Sequence, residues 1–234
     1  TAADCGCVSP YREYTREPTP EVIALFKAAR NADEAAFTRA LAAVSEPQEY
    51  AVDGEPLLAA LLRPVDGLVA TQPSERRKVW WDYTPAEARA IRERHRATLP
   101  AKTRMLALAI QRGASVKDMS YQMRQPPLHL AALFGTPEMV DQLLAAGADA
   151  NQREWDRNLS PVEFMLDHEF YTRMTYLPEL VDAEDRGRML LALFKAGAER
   201  PFKRVDERLA QACHHRERRQ FVRPRHNRRQ RLTE

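Results

Sequence analysis

The sequence predicts an all-α protein in which similar helix pairs repeat along the chain and stack into a solenoid. Three observations lead to this fold class. A run rich in Leu and Ala at 126–132 is followed fifteen residues later by a Gly-Ala-Asp-Ala-Asn segment at 147–151. Weaker copies of both ends occur on either side of this unit. One unit cannot bury its own apolar face, so at least about three must stack to be stable.

The best-defined unit, at 126–151, resembles an ankyrin repeat. Its run Pro126-Pro127-Leu128-His129-Leu130-Ala131-Ala132 is similar to the Thr-Pro-Leu-His-x-Ala signature of that family, whose period is about 33 residues. Gly135 falls at the turn between the two helices, and Met139-Val140 with Leu143-Leu144 gives the second helix an apolar face. The resemblance implies an ankyrin-repeat solenoid of about four degenerate repeats. It also implies that His129 has a structural role, hydrogen-bonding between neighbouring units.

Three weaker units complete the repeat region, which the resemblance extends over about residues 19–200. The first, at 22–43, consists of two short segments with helical apolar spacing and resembles a capping helix pair without the hairpin. The second unit begins at Glu55, and its second helix is expected from Met105 to a cap at Gly113. The fourth unit runs from Ser160 to another cap glycine, Gly197.

Two of these units contain long insertions between their helices. The spacing from the repeat proline to the cap glycine is 20 residues in the third unit, 57 in the second and 36 in the fourth. The excess of about 37 and about 16 residues places insertions at about 64–100 and 167–187. Insertions in repeat proteins map to one face of the stack, which is often the binding face. Because these two come from alternate units, we expect them on the same edge.

The first insertion is one candidate binding surface, since Trp80, Trp81 and Tyr83 cluster there after a basic run. These aromatic residues either pin the insertion to the stack or contact a partner. The segment Thr84-Pro85-Ala86-Glu87 then has the form of a capping box. It predicts a helix from Pro85 to Thr98 whose narrow apolar stripe leaves most of its surface in water.

The linker at 152–158 is the second candidate surface. In ankyrin-like stacks, hairpin tips and the exposed side of each first helix line a concave face, and this linker corresponds to one tip. Trp155 is the predicted anchor, because an exposed Trp offers a large contact area and is enriched at interface hot spots. The residues expected around it are Arg153, Glu154, Asp156 and Arg157. In the alternative arrangement Trp155 folds back against a neighbouring hairpin.

Charge divides the chain unevenly behind a net value of +3. Residues 200–234 contain twelve Arg and Lys against four acids, a surplus of +8 that leaves −5 for the remainder.

Helical apolar spacing continues over 201–215, which we interpret as a terminal capping helix. The rest, 216–234, is predicted to be a basic flexible tail. It either binds an anionic membrane surface or nucleic acid, or is a solvated extension, or is an arm that docks on the acidic body of its own chain. Nucleic acid is disfavoured because the tail lacks interleaved aromatic residues for base stacking. Residues 1–18 form an N-terminal extension.

Motifs for catalysis or cofactor binding do not occur in this sequence. It has no phosphate-binding glycine loop, no Gly-x-Ser-x-Gly elbow and no His-Glu-x-x-His zinc motif. Of its three cysteines, Cys5 or Cys7 pairs with Cys213 in an oxidising compartment, or all three are unpaired thiols. The irregular spacing of the cysteines and of His214-His215 disfavours a metal site. We therefore predict neither an enzyme nor a bound cofactor or metal.

The predicted function is a protein–protein interaction module. The degenerate repeats and Ala- and Arg-rich composition are similar to bacterial stand-alone ankyrin proteins, which include immunity proteins that block a secreted toxin. One alternative is a tethering protein whose basic tail binds an anionic membrane surface or nucleic acid, and another is a host-directed effector. No apolar run approaches the ~18 residues of a membrane span. Because the chain starts at Thr1 and not at Met, a preceding segment is expected to be missing, and the protein is expected in the bacterial periplasm if a signal was cleaved there, otherwise in the cytoplasm.

Overall fold

The computed structural model describes residues 14–65, 83–119, 124–166 and 179–199. The chain divides into two units, 1–199 and 200–234, and the second unit lies wholly outside the described residues. The expected capping helix and basic tail therefore cannot be compared with the structure. The same holds for Trp80, Trp81, the three cysteines and most of the N-terminal extension.

Eight helices occur in the described ranges and form four consecutive pairs. They are α1 (Pro20–Asn31), α2 (Glu34–Ala43), α3 (Leu57–Leu62), α4 (Pro85–Gln111), α5 (Pro127–Phe134), α6 (Pro137–Ala145), α7 (Pro161–Leu166) and α8 (Ala183–Lys195). A 3-10 turn at Pro47–Glu49 precedes an antiparallel hairpin of β1 (Ala51–Val52) and β2 (Glu55–Pro56), in which Ala51 lies opposite Pro56. None of the helices described here combines the length and apolar character needed to cross a bilayer.

The four helix pairs contact one another in two rows. The first helices contact in the order α1, α3, α5 and α7, and the second helices in the order α2, α4, α6 and α8. Within each pair the two helices also pack together. One apolar core runs through all the pairs, from Phe26 and Phe37 through Leu61 and Leu106 to Leu193. Each pair thus buries its apolar face against the next one, as a repeating unit requires.

Three of the second helices end in the same way, at the glycines that the sequence identifies as caps. Gly113, Gly147 and Gly197 have φ values of 86°, 89° and 89°, in the left-handed region that favours glycine. The alanine after each glycine donates its backbone N–H to a carbonyl in the last helical turn, at 2.9–3.0 Å. This arrangement is the Schellman motif. It confirms the predicted caps of α4, α6 and α8.

Helix α4 differs most from its sequence prediction. Its start is as predicted, because the Thr84 side chain accepts from the Glu87 backbone while the Glu87 side chain accepts from the Thr84 backbone. The helix does not stop at Thr98, however, but continues through Pro100 to Gln111, a total length of 27 residues. A proline inside a helix removes one backbone hydrogen bond and costs about 3 kcal/mol. Buried side chains on both sides of Pro100, including Ile91 and Met105, offset this cost.

The hairpin between the first two pairs was not predicted. Its turn residues Asp53 and Gly54 both have positive φ, 54° and 74°, as a two-residue type I′ turn requires. Directly after the turn, the carboxylate of Glu55 is fully buried. It accepts from Arg63 Nη1 at 2.7 Å and from Arg30 Nη2 at 3.2 Å. The hairpin is therefore bound to both α1 and the end of α3.

The first helices of the second and third pairs are buried along their whole length. Every residue of α3 and α5 is buried. Two polar side chains of α4 bind carbonyls at the ends of these helices: Lys102 Nζ donates to Leu61 O at 2.7 Å and to Arg63 O, and His95 Nε2 donates to Phe134 O at 2.6 Å. The expectation that first helices line an exposed concave face is therefore wrong for α3 and α5. Their sequences are almost entirely apolar and leave no side chain for the solvent.

Candidate protein-binding surface

The loop at 152–158, which follows α6, is built around a buried carboxylate. The backbone N–H of Glu154 donates to Leu159 O at 3.0 Å and closes the loop. The Glu154 carboxylate accepts from the backbone N–H groups of Asp156, Arg157 and Leu159 at 2.6, 2.6 and 3.2 Å. Glu154 is only 2% exposed, so it holds the loop from inside. Among the five residues predicted for this surface, Glu154 is the one whose side chain does not face the solvent.

Burial has a chemical consequence for Glu154. Removal from water disfavours the charged form and raises the pKa of its carboxyl, while the three backbone N–H groups act in the opposite direction. The pKa is raised overall, so burial outweighs the hydrogen bonds. The loop therefore contains an acid whose role is to order the backbone.

Two further side chains of this loop, those of Arg153 and Asp156, are also fixed by hydrogen bonds. Arg153 Nη1 donates to Asn158 O at 2.6 Å and to Glu163 Oε2 at 3.0 Å, and so crosses from the loop to α7. Asp156 pairs with Arg124 Nη1 at 2.8 Å. Arg157 is exposed. The loop thus presents charged groups of both signs in positions that are set before any partner arrives.

Trp155 lies in the middle of this loop and is half-buried. Its backbone N–H donates to Arg124 O at 3.2 Å, in the linker that precedes α5. The sequence left open whether Trp155 is exposed or folded against a neighbouring segment. The structure combines the two, since the backbone binds the neighbouring linker while part of the residue remains in contact with solvent.

Hydrogen bonds join the linkers of successive helix pairs next to the loop at 152–158. Gln152 Nε2 donates to Lys117 O at 3.1 Å, in the linker after α4. Asn151 Nδ2 donates to Gly197 O at 3.0 Å, and its Oδ1 accepts from the Glu199 backbone N–H at 2.8 Å. Inside the stack, His129 Nε2 donates to Leu159 O at 3.0 Å, and its ring packs edge-on against Phe164 at 5.4 Å. The predicted role of His129 between neighbouring units is confirmed.

Tyr83 is the one residue of the predicted aromatic cluster that the structure describes. It is half-buried and packs against the apolar core. This position agrees with the interpretation that the cluster pins the insertion to the stack. The contribution of Trp80 and Trp81 lies outside the described residues.

Described parts of the two insertions meet on one edge, where they form a groove. Arg96 Nη2, from the insertion half of α4, pairs with Asp182 Oδ2 at 2.6 Å. The groove beside this pair has a volume of about 490 Å3 and lies between α4, the α5–α6 turn and residues 180–185. The ion pair between Arg96 and Asp182 agrees with the expectation that both insertions lie on the same edge. The groove itself was missed because its residues are distant in sequence.

His95 and His129 are the two histidines within the described residues, and both are buried. Burial lowers the pKa of both His95 and His129 to about 4, so both rings are neutral at pH 7. Each binds a backbone carbonyl, which is a structural contact. Within residues 14–65, 83–119, 124–166 and 179–199, no group of three or more His, Cys, Asp or Glu side chains is placed to hold a metal ion.

Comparison with known families identifies an ankyrin repeat at residues 124–152. The match begins at Arg124, spans α5 and α6 and ends at Gln152, where the loop described above begins. A comparison with curated proteins finds no match. The chain therefore contains an ankyrin repeat, a type of unit that typically serves in protein–protein interaction.

Proposed function

We propose that this protein is a non-enzymatic protein-binding module, an ankyrin-repeat solenoid of about four degenerate repeats in which the loop at 152–158 anchors the partner. The observation that carries the proposal is the order of this loop before binding. Glu154 holds its backbone, and Arg153 and Asp156 are paired with residues outside it. Ordering a loop on association costs free energy, and a loop that is already ordered avoids that cost.

Trp155 is the proposed anchor of the interface. A tryptophan brings a large apolar area and one N–H donor, and loses little conformational entropy because it has only two side-chain torsions. Its backbone is already fixed to Arg124, and part of the residue is open to solvent. Hot-spot residues of this kind contribute about 2 kcal/mol or more, which corresponds to roughly thirtyfold in affinity.

The mechanism that we propose is steric inhibition, as in immunity-type proteins of bacteria. The loop would occupy the surface of a partner enzyme such as a secreted toxin and close its active site without any chemistry by this chain. This role is supported by analogy with stand-alone ankyrin proteins and by the fixed loop. The competing function is tethering, which the charge of +8 in residues 200–234 favours.

Capture and affinity measurement test the proposal. The full chain is immobilised, proteins from the source organism are captured, and the affinity of each purified candidate is measured for the wild type and for Trp155→Ala. We expect a loss of about thirtyfold or more in the variant, because the anchor is removed. If the partner is an enzyme, one equivalent of wild type should suppress its activity, and Trp155→Ala should do so only at higher concentration.

Ile23→Ala is the matched control, since Ile23 also presents a large apolar side chain to solvent, with 51% of the residue exposed, but lies on α1. It should leave the affinity unchanged. The proposal is contradicted if Trp155→Ala binds every captured partner as tightly as the wild type does. Tethering would be indicated if deletion of 216–234 abolishes binding and the wild-type affinity falls steeply with salt.

A further inference from the structure

We infer that the groove between α4, the α5–α6 turn and residues 180–185 is a second binding site, which receives an extended peptide segment of a partner carrying an apolar side chain beside a Lys or Arg. The inference rests on the proposed protein-binding function but concerns a different surface from the loop at 152–158. It follows from the shape, the floor and the charge of the groove.

The groove is large enough for several side chains and has an apolar floor. Its volume of about 490 Å3 lies within the roughly 300–1,000 Å3 typical of ligand sites. Leu99, Leu180 and Val181 line it, and Leu180 and Val181 are only 2% and 8% exposed, so they are firmly packed. An apolar side chain placed against this floor would leave water without displacing the core.

Most charged groups at the groove are already neutralised by neighbours. Arg96 pairs with Asp182 at 2.6 Å, and Asp185 pairs with Arg188 at 2.6 Å. Arg104 donates to both carboxylate oxygens of Glu34, at 2.7 and 2.6 Å. A partner would therefore gain little from these groups unless it broke existing pairs.

Glu138 is the exception. It lines the groove at the start of α6, is exposed, and forms no salt bridge within the part of the chain that the structure describes. Hydrogen bonds from its own backbone N–H and from Thr136, and to a smaller extent the charge of Arg188, lower the pKa of its carboxyl, so it is ionised at neutral pH. The cation that acts on it, Arg188, already pairs with Asp185 at 2.6 Å, so two carboxylates share one positive charge at this end of the groove. A cationic side chain of the partner would balance the surplus negative charge. The combination of an apolar floor and one carboxylate at its side defines the chemistry of the peptide.

Selection from a phage-displayed library of random linear peptides on the immobilised full chain tests this inference. The enriched peptides are expected to contain Lys or Arg next to an apolar residue. Their affinity should fall about two- to fivefold in Glu138→Arg, which corresponds to one exposed charge pair. Replacing the peptide's basic residue by Glu should restore binding to Glu138→Arg and weaken binding to the wild type.

Asp141→Arg is the matched control, because Asp141 is an exposed acid on the same helix that does not line the groove. It should leave peptide binding unchanged. Circular dichroism checks that each variant is folded, and Glu138→Gln provides a milder second variant. The inference is overturned if no peptide is enriched, if the enriched peptides lack a basic residue, or if their affinity is the same for wild type and Glu138→Arg. Binding of these peptides by Trp155→Ala separates the groove from the loop: it should be unchanged, whatever becomes of the partner captured through Trp155.

Discussion

Acidification should destabilise this protein through its two buried histidines. His95 and His129 are 1% and 0% exposed, and burial lowers the pKa of each from 6.5 to about 4. In the unfolded chain each imidazole takes up a proton near pH 6.5, whereas in the folded protein it stays neutral until about pH 4. The unfolded state therefore binds more protons between these values, and stability is lost as the pH falls from 6.5 towards 4.

The size of the effect follows from the two pKa values. A difference of about 2.5 corresponds to roughly 3 kcal/mol for each histidine over the whole window. At pH 5 about 2 kcal/mol per histidine is already lost, or about 4 kcal/mol together, a large part of a typical stability of about 5–15 kcal/mol. Glu154 acts in the opposite direction, because its raised pKa makes the folded state take up a proton first. It offsets part of the loss.

Urea unfolding at pH 7 and pH 5 measures this difference for the wild type, His95→Gln, His129→Gln and the double variant. Between pH 7 and pH 5, the free energy of unfolding of each single variant should fall by about 2 kcal/mol less than that of the wild type. This holds even if the variant is less stable at pH 7. The free energy of unfolding of the double variant should depend on pH in this range only through its carboxylates. Equal losses of stability between pH 7 and pH 5 in the double variant and the wild type would show that the two histidines do not cause the pH dependence.

Two further predictions concern glycine positions and a buried ion pair, both measured by urea unfolding at pH 7. Gly135→Ala should cost about 2–3 kcal/mol, because its Cβ would lie 2.7 Å from Ala131 O, whereas Gly147→Ala should cost only about 1 kcal/mol for its left-handed backbone. Equal costs would contradict the packing argument. Glu55→Gln should cost about 2 kcal/mol, because Arg30 and Arg63 lose the charge they share. If Glu55→Gln leaves the free energy of unfolding unchanged, this cluster does not hold the hairpin.

Local signals in the sequence predicted much of the fold. The capping box at Thr84, the three cap glycines and the repeat motif around His129 each depend on residues a few positions apart, and each occurs in the structure. The hairpin turn at Asp53-Gly54 is a signal of the same kind, since both residues adopt the positive φ that a two-residue type I′ turn requires. Short-range signals therefore predict caps and turns, whereas the predicted helix end at Thr98 was wrong because it depends on packing around Pro100.

Long-range contacts account for what could not be predicted. Glu154 is a charged residue in a loop, so its type and position predict exposure. It is buried because the backbone folds around its carboxylate. The continuity of α4 through Pro100 depends on packing on both sides of the proline. The groove depends on Arg96 and Asp182, which are 86 positions apart. None of these features follows from periodicity or from a motif.

Hydrogen–deuterium exchange of the full chain, with and without its captured partner, shows which surface binds the partner. Binding through the loop predicts slower exchange of the backbone N–H groups at 152–158, and binding through the groove predicts the same for the turn at Gly135 and Thr136. Protection confined to other parts of the chain, with exchange at 152–158 unchanged, would contradict the proposal that this loop anchors the partner.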